Sequence, residues 1–175
     1  MKEWIKDIII AIVIALIVVQ FIKPTIVKQS SMKPNFYEND YLFVSKQSYT
    51  FGEPKRGDVV VVHSALLREN GDEKLLIKRV IGLPGDKIDI SDGKVYINGE
   101  ELVEDYTKEG YTTGDVDGLV VPDGKVFCMG DNRRVSIDSR SPEVGCIDMD
   151  EVVGKVFLRL YPFNKIGFIK NPYAE

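Results

Sequence analysis

Residues 8–22, IIIAIVIALIVVQFI, carry no charge and show no amphipathic stripe. A helix built from them would be apolar all round and so at home in lipid rather than at a water-facing surface. At a rise of about 1.5 Å per residue the run covers only part of a hydrocarbon slab roughly 30 Å thick. Trp4 and Ile5 can extend it, with Lys6 and Lys23 snorkelling towards the headgroups. The expectation is a transmembrane helix over residues 8–23, a cytoplasmic N-terminus over residues 1–7, and an extracytoplasmic domain over residues 24–175. A cleavable leader has the same layout, but the following QFIKPTIVKQSS offers no small-x-small cleavage site. Lys2 and Lys6 are partly offset by Glu3 and Asp7, and the N-terminal amine tips the orientation towards N-inside. Pro24 supplies an end to the helix, and Ser31 then lies within roughly 30 Å of the membrane surface.

Beyond Pro24 the pattern changes to short β-prone runs separated by Gly, Pro and Asp. YLFVSK (41–46), DVVVVHS (58–64), KLLIKRVIGL (74–83), KVFCMG (125–130) and VVGKVFLRLYPF (152–163) read as strands. KIDI, SDG and KVYI make a hairpin over residues 87–97, followed by a second turn signal at Asn98 and Gly99. No long amphipathic helix stands out after residue 30, so the remainder reads as one antiparallel β-sheet domain. The whole is a mainly β protein with one N-terminal transmembrane helix. Residues 100–118, rich in Asp, Glu, Gly and Thr, read as a surface loop without chemistry. Tyr161, Phe163, Phe168 and Tyr173 read as packing at the domain edge, with docking to an interface as the lesser alternative.

Composition removes several functions. A net charge of -4 without a basic cluster argues against a nucleic-acid partner. The single histidine, His63, cannot build a multi-histidine metal centre, and no metal or other cofactor is expected. The two cysteines, Cys128 and Cys146, lack zinc-site spacing and read as free thiols, with one disulfide as the alternative outside the cytoplasm.

Three segments carry candidate chemistry. In QSSMKP (29–34) a serine precedes Met, and on its own this is as well explained by a turn. In KRVIGLPGD (78–86) Lys78 follows the apolar Leu75, Leu76 and Ile77. A lysine there can snorkel, but a desolvated one loses its preference for charge and becomes available as a base. GDNRRVSIDSR (130–140) follows an apolar strand, and Asp131, Arg133, Arg134, Asp138 and Arg140 can form a paired network, with Ser136 offering a hydroxyl able to orient an amine.

In this order after an N-terminal anchor, the three segments resemble bacterial type I signal peptidases, Ser-Lys proteases that remove signal peptides from exported proteins. The resemblance runs from the anchor to Lys155 and is closest to the compact Gram-positive form. It implies Ser31 as nucleophile, Lys78 as general base, Ser136 as the residue that orients the lysine, and two supporting pairs, Asp138 with Arg140 and Arg79 with Asp131. It further implies an oxyanion hole that includes the Ser31 N–H, an acyl-enzyme, and a substrate strand with small residues of the Ala-x-Ala type before the cut. Met32 and Ile81 are candidate walls of the substrate pockets. Partners would be signal-peptide-bearing preproteins and the lipid bilayer, for a monomeric single-pass protein of the cell membrane. The chain departs from the pattern at Gln29, where some members have a serine, and at Asn35, where threonine is more usual. Two rivals differ in class. A self-cleaving Ser-Lys repressor would need a DNA-binding segment in place of the hydrophobic one, and a tethered β module would carry Ser31 and Lys78 incidentally.

Overall fold

The computed structural model describes residues 2–49, 52–67 and 73–174, with no side-chain account for residues 2–3, 15–19, 65–67 and 73–74. Part of the proposed anchor, residues 15–19, and the terminal Met1 and Glu175 therefore lie outside the side-chain description.

One helix, α1 (Lys2–Phe21), opens the chain. Among the described residues no helix is long and apolar enough to cross a membrane. The helix also ends earlier than Pro24: residues from Ile22 onward extend into a strand, so Lys23 and Pro24 are sheet residues. Pro24 sits in an edge strand, opposite Phe43, the kind of sheet position to which proline is confined.

The strands in chain order are β1 (Ile22–Ile26), β2 (Tyr41–Ser45), β3 (Val59–Leu67), β4 (Glu73–Gly82), β5 (Lys87–Ser91), β6 (Lys94–Ile97), β7 (Glu100–Glu101), β8 (Val116–Val120), β9 (Lys125–Met129), β10 (Ile147–Asp148), β11 (Val152–Tyr161) and β12 (Gly167–Phe168). Among the described residues they form two sheets. The larger runs β1-β2-β11-β3-β4-β9-β10, with β12 also on β11, and the smaller runs β7-β6-β5-β8. Every pairing in both sheets is antiparallel.

The continuous Val59–Val62 run is explained by burial on both faces of the large sheet. Val59 and Val61 pack with Met32, Phe36 and Val44 in one core, whereas Val60 and Val62 pack with Leu76, Val80 and Cys128 in another. A third core lies beneath the small sheet, where Ile81, Ile88 and Val95 meet Phe127 and Met129. Strand β4 touches all three, so its alternating side chains enter different environments.

Residues 100–118 are more than a loop. The Asn98-Gly99 turn, with φ of 55° and 86°, delivers β7, and the segment ends in β8 against β5. Its polar composition concealed this because β7 is only two residues long and exposed, while β8 is broken by Gly118, whose N–H is held by the Asp89 carboxylate at 2.6 Å.

Candidate active site

Ser31 lies in a tight 3-10 turn, Ser30–Met32, entered from an extended Gln29. Met32 and Phe36 anchor the turn by burying their side chains in the core, and the Phe36 N–H closes back on the Met32 carbonyl at 2.9 Å. Asn132 grips the same turn. Its N–H donates to the Ser31 carbonyl at 2.9 Å and its side-chain amide to the Ser30 carbonyl at 3.2 Å. Two segments a hundred residues apart in sequence are thus locked together, and the Ser31 hydroxyl acquires a fixed direction.

Lys78 stands on β4 opposite Val60, on the same face as Leu76 and Val80. It is 1% exposed and Ser31 8% exposed. Lys78 Nζ donates to Ser31 Oγ at 3.0 Å, a buried contact between residues 47 apart in sequence. Two cavities open beside the pair. One of about 320 Å³ contains Ser31, Lys78, Gln29, Val135 and Ile137. The other, about 280 Å³ and more apolar, lies between residues 23–29 and the Leu75 and Ile77 side chains of β4, with Ser31 and Met32 at its end.

Ser136 comes to the same cluster from the 130–140 segment. Its Oγ is buried and completes no well-formed hydrogen bond, although it lies near enough to Asp138 to add to the stabilisation of that carboxylate. Gly130 makes this approach possible. A Cβ at Gly130 would fall 2.3 Å from Ser136 Oγ and 2.5 Å from the Ser31 carbonyl oxygen. A side chain there would separate the two segments.

Around this centre lie three fixed ion pairs. Arg79 Nε and Nη2 donate to the two oxygens of Asp131 at 2.8 and 2.7 Å, Nη1 donates to the Gly57 carbonyl, and the guanidinium stacks 4.2 Å over the Tyr106 ring. Arg140 Nε and Nη2 donate to Asp138 at 2.8 and 2.9 Å, and Asp138 also accepts the Gly130 N–H at 2.9 Å. Burial alone would raise the Asp138 pKa, but the Arg140 guanidinium and the Gly130 N–H hold it below its ordinary value. Arg133 pairs with Glu104, not with an aspartate of its own segment, and Arg134 reaches Glu109. Glu104 and Glu109 belong to the stretch read from sequence as chemically silent. Glu104 is a supporting residue that composition could not reveal, since its partner is 29 positions away.

Asn35 has a specific place. Its side-chain amide donates to the Asp131 carboxylate at 2.8 Å and to the Tyr106 carbonyl at 2.7 Å, tying the turn that carries Ser31 to the Arg79 pair. Ile81 is not brought to the site: it is fully buried beneath the small sheet and lines neither cavity beside Ser31. Sequence reasoning did not name Leu75, Leu76, Ile77, Val135 and Ile137 as walls, although they line these cavities; alternation along β4 from Lys78 could have found Leu76. His63 lines a separate cavity with Cys146 and Asp148. Both cysteines are free thiols, and burial pushes the Cys128 thiol well up.

A hydroxyl held against a buried amine at the end of an apolar cleft can perform acyl transfer if the amine removes the proton. Comparison with known proteins agrees on the class. Residues 1–161 match the family model described as signal peptidase, peptidase S26. The chain is 42% identical to a signal peptidase I of Bacillus licheniformis, covering 94% of this chain and 90% of that one. It is 39% identical to signal peptidase IB of Staphylococcus aureus, covering 97% and 94%. A crystal structure of a signal peptidase I from Enterococcus faecalis, 33% identical, covers 59% of this chain and 96% of its own with a TM-score of 0.49. The chain belongs to the peptidase S26 family of signal peptidases, and is a serine endopeptidase that cleaves signal peptides from preproteins.

Proposed function

We propose that Ser31 is the nucleophile and Lys78 the general base. The observation that carries this reading is the buried 3.0 Å contact between Lys78 Nζ and Ser31 Oγ at the mouth of two cavities. The apolar setting of Lys78 costs an ammonium ion its hydration and so favours the neutral amine. With the amine neutral, the hydroxyl hydrogen turns towards Nζ and the same contact runs in the opposite sense. Lys78 takes the Ser31 proton as Oγ bonds to the scissile carbonyl carbon. It then returns that proton to the leaving amine as the C–N bond breaks, giving an acyl-enzyme, and water activated by Lys78 releases the product.

The Ser31 N–H, joined by the Gln29 amide from the cavity wall, stabilises the oxyanion. Ser136 aims the lysine; the Arg79–Asp131 and Asp138–Arg140 pairs hold the segments that carry the site. An extended substrate strand lies between residues 23–29 and β4, with Met32 closing the apolar cavity over a small residue, so cleavage follows Ala-x-Ala sequences. The apolar run of α1 tethers a monomeric enzyme to the bilayer, N-terminus inside and residues 24–175 outside.

The test is processing of an Ala-x-Ala preprotein by detergent-solubilised full chain. Ser31→Ala should lower kcat about 10⁴-fold or more. Full processing by that variant would remove Ser31 from the reaction.

A further inference from the structure

Two cavities meet at Ser31, and they differ in the group each holds. Lys78 lines the one of about 320 Å³, whereas the one of about 280 Å³ is walled by Met32, Leu75 and Ile77 and is not lined by Lys78. This asymmetry gives the cleft a direction. The base that takes the Ser31 proton must hand it to the departing nitrogen, so that nitrogen leaves on the Lys78 side of Oγ. The chain attached to it then runs into the cavity that holds Lys78, while the acyl half stays in the other.

The walls of the Lys78 cavity determine what that chain can carry. Val135 and Ile137 flank Ser136 and are 57% and 50% exposed, yet both line this cavity together with the buried Leu76. Aliphatic surface left open beside Ser31 is surface that a substrate can cover. The segment presenting it is fixed: the Ser136 N–H donates to the Asn132 carbonyl at 3.1 Å, and ion pairs hold Arg133 on one side and Asp138 on the other. Besides Lys78 the charged lining is Lys28 and Glu38, of opposite sign, and Glu38 is already held by Lys33 at 2.8 Å. Charge therefore gives little preference, and apolar contact decides. We propose that Val135 and Ile137 form a specificity pocket for the new N-terminus of the product, selecting an aliphatic side chain at one of the first two positions after the cut. An extended chain sends alternate side chains to opposite sides, so one of the two positions enters the cavity and the other does not. The inference rests on the Ser31–Lys78 reading and extends it to the half of the substrate that leaves.

Three peptides test it with the full chain in detergent. They are identical up to an Ala-x-Ala site and then carry Leu at the first following position, Leu at the second, or Gly at both. For wild type, Leu at one of the two positions should raise kcat/KM about tenfold over the Gly-Gly peptide. Val135→Ser and Ile137→Ser, both at exposed positions, should each cut that ratio about threefold, and the double variant should bring it to about one. The preference for Ala over Val at the position before the cut should keep its wild-type value in all of them. Ile137→Lys should turn the preference at the selected position from Leu to Asp. Absence of a Leu preference in wild type, a ratio unmoved by these variants, or a shift in the preference before the cut would overturn the pocket. Cleavage by Ser31→Ala with the Leu ratio intact would instead overturn the reading on which the inference rests.

Discussion

Lys78 and Arg79 are neighbours on β4, both are buried cations, and the strand sends them to opposite sides with opposite consequences. Arg79 is committed to its charge by a bidentate carboxylate, a carbonyl and an aromatic face. Lys78 meets the hydroxyl of Ser31 in a setting of valine and leucine side chains. One position uses its charge to hold segments together, and the other is the one we propose moves a proton. A strand's twofold alternation is enough to separate the two roles by one residue.

Breaking the Arg79 side should be the larger structural injury. Asp131→Ala strands a buried guanidinium and should cost about 3–5 kcal/mol in denaturant unfolding. Replacing both partners, as Arg79→Met with Asp131→Leu, should recover part of that loss. A cost below about 1 kcal/mol for the single change would show that the pair does not support the fold.

Gly130→Ala should act on the Lys78 side. The added Cβ cannot fit between Ser136 and the Ser31 carbonyl, so the segments that carry Ser31 and Ser136 must part. The expected effect is about a 100-fold fall in kcat, the scale of a misplacement near 1 Å. Unchanged kinetics would mean that the Ser136 segment does not position the site.

A smaller effect concerns acid. The folded Asp138 carboxyl titrates below its ordinary value of 3.8, so its ionised form adds stability at pH above 3.8. That contribution is lost as pH falls through the lower folded value. Asp138→Asn should therefore be less stable than wild type at neutral pH and approach it in acid. A destabilisation independent of pH across that range would remove ionisation from the explanation.

The contrast between the two faces was partly legible in advance. The apolar lead-in of Leu75, Leu76 and Ile77 singled out Lys78, and the density of opposite charges in 130–140 signalled an ion-pair network. The hidden part lay in pairings that only tertiary folding creates. Arg133 turns to Glu104 and Arg134 to Glu109, across a segment whose short strands have no periodic signature. Strand β1 was concealed for another reason: the hydrophobic run continues from α1 into Ile22, so composition does not mark where helix becomes sheet. Ile81 shares a segment with Lys78 but lies further along β4, where the small sheet covers it in a core with Ile88, Phe127 and Met129, a burial that only the tertiary fold creates.

The division of labour on β4 is tested most directly by preprotein processing with two purified variants, Lys78→Ala and His63→Ala, in detergent. Lys78→Ala should be inactive within the assay while His63→Ala, altered in a separate cavity, cleaves at the wild-type rate. Activity retained by Lys78→Ala together with its loss in His63→Ala would contradict the Ser-Lys account.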